Sequence, residues 1–340
     1  MIEKKDRLLE LDVFRGIAAV LVVLFHFTSK TDFGGILSVG ITGVDLFFII
    51  SGFVIFLTLE KTDTGKSFVI NRLSRLLPAY WTCVTITFLL KISNEHLNIV
   101  QTLPAYLANL TMFQLNVFKI GDLDPAYWTM TIEMLFYIFM LFVFLCNGLK
   151  YIEWIGLAVM LLCLFNGAFL SRYHLRVHEF LNFRVPLITH FPIFYSGIIF
   201  YKLKSNKKKY GNYGFLVFAF FIQWYLFDKG GSRSDMSYIK YGVVLLTYYG
   251  LFLVYVNWGF KIIVNRIILF FGNISYSLYL IHAYLGQQVL MPWLVIHSHF
   301  NKYLILMITL AIVIFMALLI NTYIEKPAMK FIRNKKLKLA

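Results

Sequence analysis

Apolar residues along this chain gather into runs of 16 to 21 residues, separated by short polar connections. Runs of that length fit helices that cross a bilayer, because ~20 apolar residues at ~1.5 Å each span its hydrocarbon core. Ten such runs are read as spans: 11–29, 41–60, 76–92, 128–147, 151–170, 187–202, 213–228, 240–257, 267–287 and 303–323. A few fall short of ~17 residues and are expected to tilt little or to extend into their loops. The stretch 97–118 is moderately apolar but broken by Pro104, so it reads as an interfacial or re-entrant segment. There is no internal repeat, and no appended soluble domain is expected after the last run. The expected fold is all-α: a polytopic integral membrane helical bundle of about ten transmembrane helices, with 1–340 as one domain and 11–327 as its core.

Composition agrees with that reading. The chain is 59% hydrophobic and 18% aromatic, with a mean hydropathy of +0.72, values that exclude a soluble domain of 340 residues. The net charge of +15 raises the question of nucleic acid. The positive residues cluster in short connections between runs, which points to topology and membrane lipid instead, and no nucleic acid partner is expected. Of the 32 Lys and Arg, 21 fall in one set of alternate connections and 10 in the other, with Arg15 inside the first run. Both termini are therefore expected in the cytoplasm. Lys4, Lys5 and Arg7 ahead of an apolar stretch resemble a signal peptide, but Arg15 and His26 within that stretch argue for a retained first span. Cys83, Cys146 and Cys163 form neither a disulfide framework nor a metal-spaced cluster, and no metal is expected.

Polar residues inside the runs carry the functional signal. Arg15 and His26 share the run LDVFRGIAAVLVVLFHF. Eleven residues separate them, close to three helical turns, so they lie on one face about 16.5 Å apart along the axis at ~1.5 Å per residue. With the N-terminus inside, Arg15 lies near the cytoplasmic face and His26 near the outer face. Asp45, Glu133, Tyr279 and His282 fall at the same outer depth on three other spans. Each isolated charge at such a depth costs ~2.5–3.5 kcal/mol or more, so agreement in depth points to a shared task. Arg72 and Arg75 immediately precede the third span and join Arg15 in a cytoplasmic cationic layer.

Two charged layers joined by one helix suit acyl-coenzyme A as donor. The phosphates would stay at the arginine layer while the pantetheine arm carried the thioester outward to His26. Transfer of the acyl group to a hydroxyl needs a general base and stabilisation of an oxyanion. His26 is the natural base, and Asp45 or Glu133 would orient it. Sequence does not decide between the two carboxylates.

The motifs also resemble the membrane acyltransferase-3 family. Arg15 and His26 form its Arg-x10-His signature, and GVDLFFIISGFVI at 43–55 is similar to its second-span motif. RLSRLLPAYW at 72–81 carries the Arg-x-x-Arg element as Arg72 and Arg75, and YWTMTIEMLFY at 127–137 carries Trp128, Glu133 and Tyr137. ISYSLYLIH at 274–282 and EKP at 325–327 are similar to the late elements. The resemblance implies an acetyl-CoA-type donor, ten spans, a catalytic His26 and residence in a bacterial cytoplasmic membrane. It also implies a surface or exported glycan, or a lipid-linked sugar, as acceptor. Members often carry an extra span and an extracytoplasmic hydrolase-like domain. Neither is expected here, so any second transfer step would need a separate extracytoplasmic partner. Trp128, Tyr137, Tyr279 and His282 are taken as candidate substrate-binding residues.

Plainer readings stand beside these. Arg15 can snorkel to headgroups, and Arg72 and Arg75 can act as topology anchors. Asp45 can serve only the helix macrodipole. Tyr127 and Trp128 can belong to an aromatic belt, and His282 can be a packed histidine bonded to Tyr279 or a backbone group. The outer loop 171–190 holds three arginines and three histidines; it could line an acceptor cleft or be an ordinary solvated loop. The run at 202–210 reads as a lipid-contacting loop. A functional rival is a transporter or flippase that uses the same buried charges as a proton relay.

Overall fold

The structure, a computed structural model, describes residues 8–29, 34–205, 210–229 and 236–337. Lys4, Lys5, Arg7, Lys30, Arg233, Lys338 and the centre of the basic run, 206–209, lie outside the described residues. The main helices run α1 (Leu9–Thr28), α2 (Gly43–Glu60), α3 (Gly65–Glu95), α4 (Ile99–Asn109), α5 (Trp128–Leu145), α6 (Ile152–Phe165) and α7 (Leu175–Arg184). They continue as α8 (Phe191–Lys204), α9 (Tyr210–Leu226), α10 (Tyr238–Trp258), α11 (Arg266–Ile281), α12 (Met291–His297), α13 (Lys302–Ile320) and α14 (Lys326–Leu337). Among the described residues there is no strand.

Among the described residues, eight helical stretches are long and apolar enough to cross a membrane, and they coincide with eight of the ten expected spans. The runs expected at 187–202 and 213–228 form α8 and α9, of 14 and 17 residues, at or below the ~17-residue lower limit for a crossing. The stretch 97–118 contributes only the 11-residue α4 and a run of turns. The expected break at Pro104 is absent, since α4 runs through that residue and ends only at Asn109.

By contacts the chain divides into two compact units: residues 1–22, 36–62 and 132–273, and residues 23–35, 63–131 and 274–340. In the first, α8 is buried from Phe191 through Leu203, as a helix apolar on every face should be. Small residues let α2 and α8 meet. A Cβ on Gly52 would lie 2.0 Å from the Phe194 carbonyl oxygen, and one on Gly197 2.0 Å from that of Ile49. Close backbone approach of this kind holds helices together in an apolar solvent, where burial alone contributes little. Phe194 stacks on Phe136 at 4.2 Å and on Phe48 at 4.5 Å. Toward the end of α8, Lys202 pairs with Glu153, and the Tyr201 hydroxyl donates to Glu60 at 2.7 Å. Lys202, Glu153 and Glu60 edge a cleft of about 850 Å³ together with Lys150, Trp154 and Phe215.

In the second unit, α3 begins at a Thr64 cap whose hydroxyl accepts the Ser67 N–H at 3.2 Å. It ends where His96 turns left-handed, with φ 50°. The connection 110–127 folds around the fully buried Asn109. The Asn109 amide donates to the carbonyls of Ala105 (2.8 Å) and Gly121 (3.2 Å). Its oxygen accepts the Leu123 N–H at 3.0 Å, and Tyr80 donates to its carbonyl at 2.7 Å. After α11 the helix widens into a π-helical stretch, His282–Leu290. Such widenings are rare and concentrate at functional sites.

Candidate active site

The end of α1 and the π-helical stretch meet in the second unit. His26 Nδ1 lies 3.3 Å from His282 Nε2, and the rings meet edge to face at 76° with centroids 4.9 Å apart. Gly286 makes this approach feasible, because a Cβ there would fall 2.3 Å from the Phe27 ring. One residue further, the Gln287 amide donates to the Ser29 hydroxyl at 3.5 Å.

Hydrogen-bond chemistry then fixes the proton positions. His282 Nδ1 lies 2.7 Å from the carbonyl oxygen of Tyr279. A carbonyl only accepts, so His282 Nδ1 carries the proton. With both rings neutral, His282 Nε2 is an acceptor and His26 Nδ1–H donates to it. The lone pair of His26 therefore resides on Nε2, which is the atom able to take a proton from a hydroxyl.

The Tyr279 hydroxyl is engaged away from the histidines, with Thr129 at 2.9 Å and the Ala126 carbonyl at 3.1 Å. His282 is fully buried. Trp128 sits half-buried at the start of α5. The second unit also holds the expected cationic pair. Because α3 starts at Gly65, Arg72 and Arg75 lie inside the helix and not in a loop ahead of it. Arg72 is only 9% exposed, unlike a surface topology anchor. Arg333 on α14 donates to the Asn71 carbonyl at 3.4 Å and lies within electrostatic reach of Arg75. Sequence reasoning counted Arg333 only among C-terminal positive charges, and nothing in its spacing links it to α3.

The remaining expected residues fall in the first unit. Arg15 donates to Asp12, one turn earlier on α1, at 3.2 Å. Glu133 accepts from Ser51 at 3.0 Å and from Tyr137, four residues on along α5. Asp45 is fully buried in the first turn of α2, where a carboxylate also meets the positive end of the helix macrodipole. In the segment 171–190, His178 packs inward, its Nδ1 3.0 Å from the Asn166 carbonyl and its Nε2 3.0 Å from the Asn182 amide. That ring is structural. Among the described residues no group of three or more His, Cys, Asp or Glu side chains could hold a metal ion.

Comparison with known proteins identifies the family. The family model described as "Acyltransferase domain" matches residues 8–326. The chain belongs to the acyltransferase-3 family. The histidine pair lies inside the matched region. One relative, "Exopolysaccharide production protein ExoZ" of Rhizobium meliloti, is 33% identical over 119 residues, covering 34% of this chain and 37% of that protein. Another, "Putative O-acetyltransferase SACOL0978" of Staphylococcus aureus, is 31% identical over 314 residues, covering 80% of this chain and 49% of that protein. The chain thus spans about half or less of the length of these two relatives. A protein of Acidianus two-tailed virus, "Putative acetyltransferase ORF330", is 24% identical over 284 residues and covered over 82% of its length. No solved structure matches the chain.

Proposed function

We propose that this acyltransferase moves an acyl group, acetyl before longer chains, from cytoplasmic acyl-CoA to a hydroxyl of a cell-surface or exported glycan or its lipid-linked precursor. The observation that carries the reading is the chain Tyr279 carbonyl, His282, His26, which leaves His26 Nε2 as the proton acceptor. His26 takes the acceptor hydroxyl's proton as the oxygen attacks the thioester carbonyl. The tetrahedral oxyanion collapses, the C–S bond breaks, and the leaving thiolate takes that proton back from His26. Each such proton transfer by a positioned base accelerates the reaction by ~10²–10⁴.

His282 acts in this scheme as the orienting partner, a part first given to Asp45 or Glu133. The Glu133–Tyr137 pair and Trp128 are assigned to the acceptor side, and Asp45 to the support of α2. Tyr279 contributes its carbonyl to His282. Arg15, Arg72 and Arg75 hold the donor phosphates, with Arg333 as a fourth guanidinium. Burial of Arg72 and convergence of Arg333 on α3 support that role, since guanidinium groups suit phosphate. Continuity of α1 from Arg15 to His26 supports the reach of the donor arm. We read 1–340 as one integral domain with ten crossings, both termini in the cytoplasm of a bacterial cell.

Radiolabelled acetyl-CoA supplied to membranes tests the proposal, with wild type set against His26→Ala. Label should enter a polysaccharide or lipid-linked sugar fraction in the wild type and vanish from it in the variant. Label that enters no glycan fraction, while another hydroxyl compound is acetylated, would refute the acceptor class. A proton-coupled carrier would move substrate without any covalent change, and family membership does not favour it.

A further inference from the structure

One buried carboxylate has no part in the proposed transfer and belongs to none of the motifs. Asp124, in the connection 110–127, is fully buried. Its Oδ1 accepts the Ala126 N–H at 2.7 Å, and its Oδ2 accepts the Tyr284 N–H at 2.8 Å. Two peptide donors thus converge on one buried carboxyl group. The second of them leaves the π-helical stretch two residues after His282.

Both sides of His282 are tied to the same connection. Downstream is the Asp124–Tyr284 bond. Upstream, the Tyr279 hydroxyl donates to the Ala126 carbonyl at 3.1 Å, while the Tyr279 carbonyl accepts from His282. Tyr284 is held a second time through its hydroxyl, which donates to Glu95 at 2.9 Å. Glu95 pairs with Lys91 at 3.2 Å, and the Lys91 ammonium lies 5.2 Å from the Tyr284 ring centroid. The connection is itself firmly set. Met112 adopts φ 64°, a conformation that costs a non-glycine residue ~1–3 kcal/mol unless its surroundings impose it. The Thr131 hydroxyl anchors its carbonyl at 2.5 Å.

We propose that Asp124 is a positioning residue of the histidine pair: by holding the Tyr284 peptide outside the helical ladder it keeps the His282 ring within hydrogen-bonding distance of His26. The proposal rests on the reading of His26 as base. A π-helical turn has no intrinsic advantage over an α turn and persists where outside partners satisfy its backbone. Without the Oδ2 acceptor, the Tyr284 N–H relaxes toward the ordinary ladder and the His282 ring turns about the helix axis. Asp124 itself touches no reacting atom.

The test compares Asp124→Asn with wild type in the purified full-length protein. Asn keeps the size of the side chain but sets its NH₂ against one of the two peptide donors. We would read kcat and the KM for acetyl-CoA, and also the imidazole ¹⁵N shifts of histidine-labelled protein, which report each ring's tautomer. His26→Ala and His282→Gln assign the two signals. Expected are a kcat lower by about tenfold or more, since small misplacements at a reacting centre are costly, an unchanged KM, and loss of the Nδ1-protonated pattern at His26. Unchanged kcat with unchanged histidine signals would overturn the proposal. Where Asp124→Asn does not fold, a pH titration of the wild type decides. Asp124, faced by Asp122 and Lys91, should carry the Tyr284 amide and His282 signals with it as it protonates. A Tyr284 amide that moves while His282 stays fixed would equally overturn the proposal. Full transfer by His26→Ala would instead remove the base reading, and the spectra would still show whether Asp124 holds His282.

Discussion

His282 presents Nε2 to Nδ1 of His26 at 3.3 Å, and in the proposed reaction this contact sets which nitrogen of His26 acts as the base. In the proposed reaction the orienting group is a second imidazole, held in turn by a backbone carbonyl. Replacing it tests the relationship. His282→Ala removes the acceptor for His26 Nδ1–H and should lower kcat by roughly 10–10². His282→Gln keeps an amide oxygen near that position and should retain more activity. Equal loss in both variants would mean that His282 supports packing and not the tautomer. Steady-state kinetics on both variants checks this.

Gly286 sets how closely the π-helical stretch approaches α1. Gly286→Ala would place a Cβ 2.3 Å from Cζ and 2.5 Å from Cε1 of Phe27, a ring that is itself buried. Overpacking of this kind costs ~1–3 kcal/mol. We expect a lower melting temperature and a reduced kcat with acetyl-CoA binding unchanged, measured by thermal denaturation and by donor titration.

Asp124 gives the protein a pH-dependent stability of defined sign. Burial pushes its carboxyl up to about 7 from the ordinary 3.8. Between those values the folded protein binds a proton that the unfolded chain has released. Stability from this group is therefore complete below about 4 and declines as pH rises to about 7. Asp124→Asn should flatten that slope in melting curves taken from pH 5 to 8. A wild-type slope unchanged in the variant would contradict the assignment.

The Lys202–Glu153 pair is buried on both sides, with side chains 8% and 12% exposed. Removing one member leaves an uncompensated charge, at a cost of ~3–5 kcal/mol. Lys202→Met alone should depress folding yield sharply. The double variant Lys202→Met with Glu153→Gln should recover most of it. Monodispersity and melting temperature in detergent report both.

Arg333 and Arg72 should behave alike if they hold donor phosphates. Arg333→Ala should raise the KM for acetyl-CoA and leave kcat nearly intact, the pattern of an interaction made equally in the ground and transition states. A fall in kcat at constant KM would place Arg333 elsewhere.

Much of this arrangement was legible in the sequence. Run length revealed the helices, because a bilayer demands a continuous apolar stretch, and the runs at 187–202 and 213–228 form the shorter helices α8 and α9. Depth placed His26 and His282 in one layer, since each residue advances a helix by a fixed rise. Depth alone cannot say which residues of a layer touch. Asp45 and Glu133 are expected in the same layer, and Glu133 accepts hydrogen bonds from Tyr137 and Ser51. Asp124 gave no signal. It lies in a connection without periodicity, and its partners are peptide N–H groups, which every residue type carries except proline. The π-helical stretch was hidden for a similar reason, since one added residue per turn leaves an apolar run looking like any other helix.

The most direct test of the central claim is the transfer rate of purified His26→Ala, with acetyl-CoA binding measured on the same sample. A catalytic base at His26 requires binding close to that of wild type and transfer reduced by about 10² or more. Transfer at the wild-type rate, with binding intact, would contradict it.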